Sequence, residues 1–302
     1  MSTASLHLEA VGRTWRALRH KLTSRRTGRD CAHVHRAWRR FGARPPAVLL
    51  EGWRYCVDGC LERALHHAIE RARSFSRPAA TPHRIPLGLL LLSRQQLSAD
   101  QLRTALQAQQ AAGRGRIGEW LQSLGFVSEQ QITAALARQW SCPVLRSNNS
   151  LTPPRLIPQI PVTLLEGFAM FPVNYVEATA TLHMAFCEGI DHSVLYAIEQ
   201  MTGCHTRPCM APPTLIRNHL RALSGRGERE AIFECFSDNA EFSRIVCSYC
   251  VRLSSPEVRI ASCGSYIWVR ILRRSHPPQD LLLRLSNSRL SAFPVQSAAA
   301  AI

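Results

Sequence analysis

Hydrophobic and polar positions in the middle of the chain repeat with a period of thirty residues. When the chain is shifted by that distance, segment 87–109 matches segment 117–139 without a gap. Each copy holds a short apolar stretch, a turn, and a longer stretch with apolar residues at i, i+3 and i+4, which is typical of one helical face. A period of this length marks a repeated supersecondary unit. The pattern therefore predicts two tandem helical hairpins that form a pseudo-symmetric pair.

Polar residues and glycines also recur in register between the two copies. Ser98 and Ser128 are each followed three residues later by a glutamine, which is the sequence pattern of a capping box and predicts where the longer helices begin. Two ordinary hairpins with a common core pattern would explain the repeated leucines. They would not explain the repeated glycines and glutamines, because neither residue type fills a core.

The flanking segments predict an α+β fold. The pattern after Pro143 alternates short strands with helices, typical of a small α/β domain, and the segment beyond the glycines at 225 and 227 predicts one helix on a strand meander. The predicted organisation is a basic arm (1–30), a Cys/His-rich module with a helix (31–75), a linker (76–84), the tandem helical repeat (85–145), a small α/β domain (146–224), a small C-terminal α/β sandwich (226–286) and a tail (287–302).

Charge is concentrated at the start of the chain. Of the formal net charge of +16, residues 1–84 carry +11, from 17 basic and 6 acidic side chains. Such an asymmetry would suit nucleic acid or an acidic membrane surface. However, Lys21 is the single lysine among 37 basic residues, which indicates a bias in coding composition rather than selection for phosphate contacts. We therefore do not expect nucleic-acid binding.

Eleven cysteines without a secretory signal indicate a reducing compartment. The longest leucine-rich run, 87–92, is far shorter than the roughly 20 residues that span a bilayer. We therefore expect a cytoplasmic protein with no membrane span.

The repeat resembles the amino-terminal domain of type II secretion and type IV pilus assembly ATPases, the GspE/MshE amino-terminal domain family. That family carries twice a 24-residue element of the form R-L-G-x-x-L-L-x4-L-x4-L-x3-L-x2-Q. The second copy here runs from Arg116 to Gln139 and the first from Pro86 to Gln109. The α/β segment that follows is also similar, so the resemblance covers about residues 84–223.

The resemblance implies cyclic di-GMP as a candidate ligand, because some members of that family bind it across the two motifs. A glycine allows close approach of the backbone, an arginine offers a planar fork to guanine or phosphate, and leucines pack on purine faces. This chain departs from the motif at Pro86, which replaces the first arginine, and at Gln122, which replaces an apolar residue. The implied site residues are Arg84 (the nearest substitute for the missing arginine), Leu87, Gly88, Leu91, Gln109, Arg116, Ile117, Gly118, Leu121 and Gln139.

A second candidate site is a structural zinc site in the Cys/His-rich module. Cys56 and Cys60 lie just before a predicted helix, as in the second half of a zinc knuckle, and Cys31 with His33 or His35 would complete a tetrahedral set. The spacing of the first half is irregular, so a degenerate knuckle or a plain helical hairpin is the favoured alternative.

No catalytic constellation is recognisable in the sequence. The phosphate-binding loop of the secretion motors, G-x4-G-K-[ST], is missing, since Lys21 follows no glycine-rich loop. We therefore expect no enzymatic activity and a regulatory domain separate from its ATPase. Two hypotheses for function remain: a module that senses a cyclic dinucleotide, or an adaptor that docks on a component of a secretion, pilus or envelope machine without binding a nucleotide.

Overall fold

The computed structural model describes residues 47–57, 59–75, 84–145, 160–223, 230–234 and 238–284. The fold is α+β, as the sequence predicts. None of the helices in these ranges is long and apolar enough to cross a membrane. The helices are α1 (Cys60–Phe75), α2 (Leu87–Ser93), α3 (Ala99–Ala112), α4 (Ile117–Ser123), α5 (Glu129–Gln139), α6 (Val162–Gly167), α7 (His192–Thr202), α8 (Pro213–Leu223) and α9 (Asn239–Arg252). The strands are β1 (Ala47–Leu50), β2 (Trp53–Cys56), β3 (Met170–Val176), β4 (Thr181–Phe186), β5 (His205–Met210), β6 (Glu230–Glu234), β7 (Glu257–Cys263), β8 (Tyr266–Ile271) and β9 (Gln279–Arg284).

The described chain divides into two compact units. The first takes in β1, β2, most of α1, α9, the first half of β7 and the residues that follow β8. In it, β1 pairs with β2 as an antiparallel hairpin and with the start of β7 in parallel. The sequence does not predict this pairing, because the hairpin and β7 lie some two hundred residues apart and the pattern before α1 suggested a zinc knuckle.

The second unit begins with the tandem repeat, α2 to α5. Both longer helices start at the predicted capping boxes: the Ser98 and Ser128 hydroxyls accept from backbone N–H groups three residues on, and the glutamine side chains accept in return. Gly113 ends α3 in a left-handed conformation, φ +63°, which glycine adopts at little cost. The four helices surround one apolar core that includes residues of both repeats.

The α/β part of this unit contains a sheet in the order β3-β4-β5. Strands β3 and β4 pair antiparallel, and β4 and β5 pair in parallel, with α7 as the connection. Asp191 caps α7 by accepting from Ser193 N at 2.8 Å, which confirms its predicted role as an N-cap. The sheet and α6 to α8 share a large core, and the last residues of the repeat, Leu136 and Trp140, pack against it.

The remaining strands of the second unit are the latter half of β7, then β8, β9 and β6 in that order. A meander is predicted for the whole C-terminal segment, but β6 lies at the far edge and pairs with β9 in parallel. Buried Arg270 forms a two-point ion pair with Asp280, at 2.8 Å for both contacts, and Trp268 donates to the same carboxylate. Arg270 Nη1 also donates to the carbonyl of Met201 in α7 at 3.4 Å.

Candidate functional site

Two glutamines join the repeats to each other. Gln109 Nε2 donates to the carbonyl of Gly115 at 2.9 Å, and Gln139 Nε2 donates to the carbonyl of Ile85 at 2.7 Å. Positions 85 and 115 are equivalent under the thirty-residue shift, and each lies two residues before a short helix. Each longer helix therefore binds the segment that leads into the other repeat. This reciprocal contact confirms the predicted pseudo-symmetric pair and gives the recurring glutamines a physical role.

The two motif glycines are buried where helices approach closely. A Cβ on Gly88 would lie 2.8 Å from Leu102 Cδ1, and one on Gly118 would lie 3.3 Å from Leu87 Cδ2 and 3.5 Å from Ile132 Cγ2. Side chains of the shared core thus occupy the space beside both glycines. The family resemblance implies close approach of a ligand at these glycines, whereas in the structure both lie against packed helices.

The apolar residues of the implied site divide into two groups. The resemblance implies that leucines pack on the faces of a bound purine. Leu91 and Leu121, however, are completely buried in the repeat core and present no surface to a ligand. Leu87 and Ile117, the first residues of α2 and α4, are half-buried and pack against the edge of that core. Only this second pair retains surface that a ligand could contact.

Arg116 is engaged by acidic side chains. Its Nη1 lies 2.6 Å from Oε2 of Glu188, which follows β4, and its backbone N–H donates to Glu119 Oε2 at 3.1 Å. Burial raises the pKa of Glu188, the Arg116 guanidinium lowers it, and the Glu119 carboxylate raises it further. Pro86 stands at the equivalent position of the first repeat and provides no such contact.

Arg84 does not replace the missing first arginine. Its guanidinium carbon lies 3.0 Å from the ring centroid of Trp140, a cation–π contact, and burial lowers the pKa of Arg84. Trp140 follows Gln139 directly, so Arg84 lies against the end of the second repeat. Both predicted arginines therefore have partners within the molecule.

A second polar link joins α5 to α8. The Glu129 carboxylate accepts from Thr214 N at 2.8 Å and from Thr214 Oγ1 at 2.9 Å. The equivalent residue of the first repeat is Ala99. Sequence reasoning missed Glu129, Thr214 and Glu188. The repeat itself held a signal for these contacts, because the two copies differ in charge at two equivalent positions. Arg116 replaces Pro86 and Glu129 replaces Ala99, and in each pair the charged residue makes the contact outside the repeat.

A shallow cleft lies at the end of α3. Its volume is about 520 Å³, and it is lined by Leu106, Gln109, Gln110, Gly113, Arg114 and Gly115. One predicted site residue, Gln109, lies in it. Arg114 brings a guanidinium, and amides of the two glutamines bring donors and acceptors.

The predicted zinc ligands are only partly within the described ranges. Cys56 ends β2 and Cys60 begins α1, and both are buried. Cys31 and His35 lie outside the described residues. Within those residues no three His, Cys, Asp or Glu side chains are grouped so as to hold a metal ion. Zinc binding thus stays a prediction without support from the described part of the chain.

The remaining cysteine motif, Cys247-x2-Cys250, lies within α9. Burial raises the pKa of the Cys247 thiol and raises that of Cys250 to about 12. A reactive thiol requires a lowered pKa. Cys250 is buried and Cys247 is half-buried, so neither thiol has the lowered pKa of a reactive cysteine, and the mid-helix position predicts this.

Comparison with curated proteins gives relatives that match part of the chain. The type IV pilus assembly ATPase PilB of Myxococcus xanthus is 31% identical over 134 residues, which is 43% of this chain and 23% of the relative. PilB of Thermus thermophilus is 25% identical over 122 residues, 40% of this chain and 14% of the relative. The chain thus spans less than a quarter of the length of either relative. No family model matches the chain.

Solved structures give matches of the same extent. The structure of MshE with cdg is 28% identical, with a TM-score of 0.39, over 46% of this chain and 99% of that chain. The N-terminal domain of XpsE is 22% identical, with a TM-score of 0.35, over 45% of this chain and 91% of that chain. The predicted resemblance is confirmed: the chain contains a domain similar to the N-terminal domain of type II secretion and type IV pilus assembly ATPases.

Proposed function

We propose that the chain is a non-catalytic regulatory module of a secretion or pilus machine and that its repeat pair binds cyclic di-GMP. The observation that carries the proposal is the reciprocal pair of glutamine bonds, Gln109 to Gly115 and Gln139 to Ile85. These bonds hold two equivalent segments in fixed relation, and a ligand with two equivalent halves matches such a pair.

Recognition would be unequal in the two repeats. The second repeat offers Arg116, whose guanidinium matches the geometry of a phosphate or of a guanine edge, and the half-buried side chain of Ile117. The first repeat offers Leu87 but has Pro86 in place of an arginine. Arg114, exposed in the cleft beside Gln109, is a further guanidinium near the repeat pair. We expect the polar contacts to come mainly from Arg114 and Arg116.

Isothermal titration calorimetry with cyclic di-GMP tests this proposal. Arg116→Ala should weaken binding about tenfold or more, because one lost charge-assisted contact is worth roughly 1.5–3 kcal/mol and about 1.4 kcal/mol corresponds to a factor of ten. Arg103→Ala is the matched control, since Arg103 is an exposed arginine of α3 that pairs with Asp100 of the same helix. Absence of heat up to high micromolar ligand would rule out nucleotide binding.

A docking module without nucleotide binding is the second candidate. The observation that favours it is the exposed apolar surface of the first repeat, where Leu89 is 52% and Leu106 is 47% exposed. Leu106→Ser should then weaken binding to a purified type IV pilus assembly ATPase in a pull-down. Leu124→Ser, which changes a partly exposed leucine of the second repeat, is the control. Equal binding by Leu106→Ser and the unsubstituted protein would exclude this surface.

A further inference from the structure

The loop between β4 and α7 places a carboxylate where the repeat motif offers its guanidinium. Glu188 Oε2 lies 2.6 Å from Arg116 Nη1, and Glu188 is the better buried of the two, with 21% of its side chain exposed against 53% for Arg116. A carboxylate and a phosphate both accept two parallel bonds from a guanidinium. Glu188 therefore engages the group that a phosphate-bearing ligand would need.

The Arg116 guanidinium does not fully offset the surroundings that disfavour the charged form of Glu188. Burial and the Glu119 carboxylate both raise its pKa, and the Arg116 guanidinium lowers it. A second guanidinium lies within electrostatic range of the same loop, because Arg116 and Arg217 both lower the pKa of Cys187, the residue before Glu188. Arg116 and Arg217 thus act electrostatically on this loop, and so does the Glu119 carboxylate.

The same ion pair links the second repeat to the α/β part, and the side chains of Glu129 and Thr214 form a further link. A ligand that takes Arg116 removes the first link and leaves the second. Binding would then change the packing of the β4–α7 loop. A ligand shifts a conformational equilibrium only through contacts that differ between the two states, and the Arg116–Glu188 contact would be such a contact.

We propose that Glu188 is an intramolecular competitor, which holds Arg116 until a phosphate of the ligand displaces the carboxylate and frees the β4–α7 loop. This inference rests on the proposed function, since it concerns regulation of the same site. No covalent step is involved.

The test compares Glu188→Gln with the unsubstituted full chain in titrations with cyclic di-GMP. Glutamine keeps the size of the side chain and removes its charge. We expect binding about threefold to tenfold tighter in Glu188→Gln, the range set by the modest strength of a partly exposed ion pair. Glu177→Gln is the matched control, because it removes one negative charge from an exposed position of the same unit and should leave the affinity unchanged.

Hydrogen exchange supplies a second readout. Without ligand, amides of residues 187–191 should exchange faster in Glu188→Gln than in the unsubstituted chain, and saturating cyclic di-GMP should speed up the same amides of the unsubstituted chain. Slower or unchanged exchange in both cases would overturn the displacement.

The titration outcomes separate the two proposals. Tighter binding in Glu188→Gln supports both, and binding by Glu188→Gln alone supports a competitor strong enough to close the site. Binding by the unsubstituted chain with equal or weaker affinity in Glu188→Gln overturns the competitor and leaves the proposed function intact. Binding by neither protein overturns the proposed function and the competitor with it.

Discussion

The two repeats have the same internal construction and different external contacts. Each has a short helix, a capped longer helix, a buried glycine and a glutamine that binds the other repeat. Outside this common frame, Arg116 and Glu129 of the second repeat form polar contacts with the α/β part, whereas Pro86 and Ala99 occupy the equivalent positions of the first.

Apolar surface follows the same division. Leu136 of the second repeat packs against the core of the α/β part, but its equivalent, Leu106, is 47% exposed at the cleft. Trp140 lies beneath Arg84 and beside Gly189, while the equivalent Gln110 lines the open cleft. The comparison teaches that matched residues of the repeat maintain the pair itself, and that contacts with the α/β part, several of them made by unmatched residues, determine which surface is covered and which stays available.

The largest effect should come from the shared core. Leu91→Ala and Leu121→Ala should each lower the free energy of unfolding by about 2–5 kcal/mol, because both side chains are fully buried and truncation leaves a cavity. Urea denaturation followed by circular dichroism measures both. The two losses should be similar, and Leu124→Ala, at a 38% exposed position, should cost far less. A severe loss at one leucine alone would contradict a symmetric core.

Substitution of the glycines should distinguish the repeats. Gly88→Ala should destabilise by about 1–3 kcal/mol, since its Cβ would lie 2.8 Å from Leu102 Cδ1. Gly118→Ala should cost less, because its nearest contacts are 3.3 Å and 3.5 Å and alanine favours the helix. Thermal and urea unfolding of both variants provide the comparison. Adding Leu102→Ala to Gly88→Ala should remove much of the clash in a double-mutant cycle, and strict additivity would refute the packing explanation.

Loss of the reciprocal bonds should have a moderate and equal effect. Gln109→Ala and Gln139→Ala should each cost about 1 kcal/mol, the usual net contribution of a single hydrogen bond. Gln110→Ala, an exposed neighbour, is the control for changes in helix composition. Equilibrium unfolding in urea gives all three values. If the double variant loses no more than either single variant, the two bonds act as one unit.

The smallest effect should be a pH dependence at the contact between Arg116 of the second repeat and Glu188. The folded state raises the pKa of Glu188, so folding favours its protonated form, and the contribution of Glu188 to stability should increase as the pH falls through the raised pKa. Two charged groups act on this carboxylate. They are the guanidinium of Arg116, its ion-pair partner, and the carboxylate of Glu119 in α4. The stability of the unsubstituted protein should therefore rise relative to that of Glu188→Gln between pH 7 and pH 4. Parallel curves, with Glu177→Gln as reference, would contradict this sign.

Much of the secondary structure could be predicted from local pattern. The capping boxes at Ser98 and Ser128, the N-cap at Asp191 and the strand over residues 181–186 all agree with the structure, because each depends on residues within a few positions of one another. The parallel pairing of β1 with β7 and of β6 with β9 could not be predicted in this way. Such pairings depend on contacts between distant segments, for which a single sequence holds no local signal.

The candidate site shows the same division. The chain alone determined that two copies of one hairpin exist and that glycine and glutamine matter in both. Tertiary structure decided what those residues do: the glutamines bind across the pair, the glycines and two leucines lie in the core, and Glu188 engages Arg116. The physical reason is that a repeat fixes which residues are equivalent, while burial and charge pairing depend on everything that packs around them.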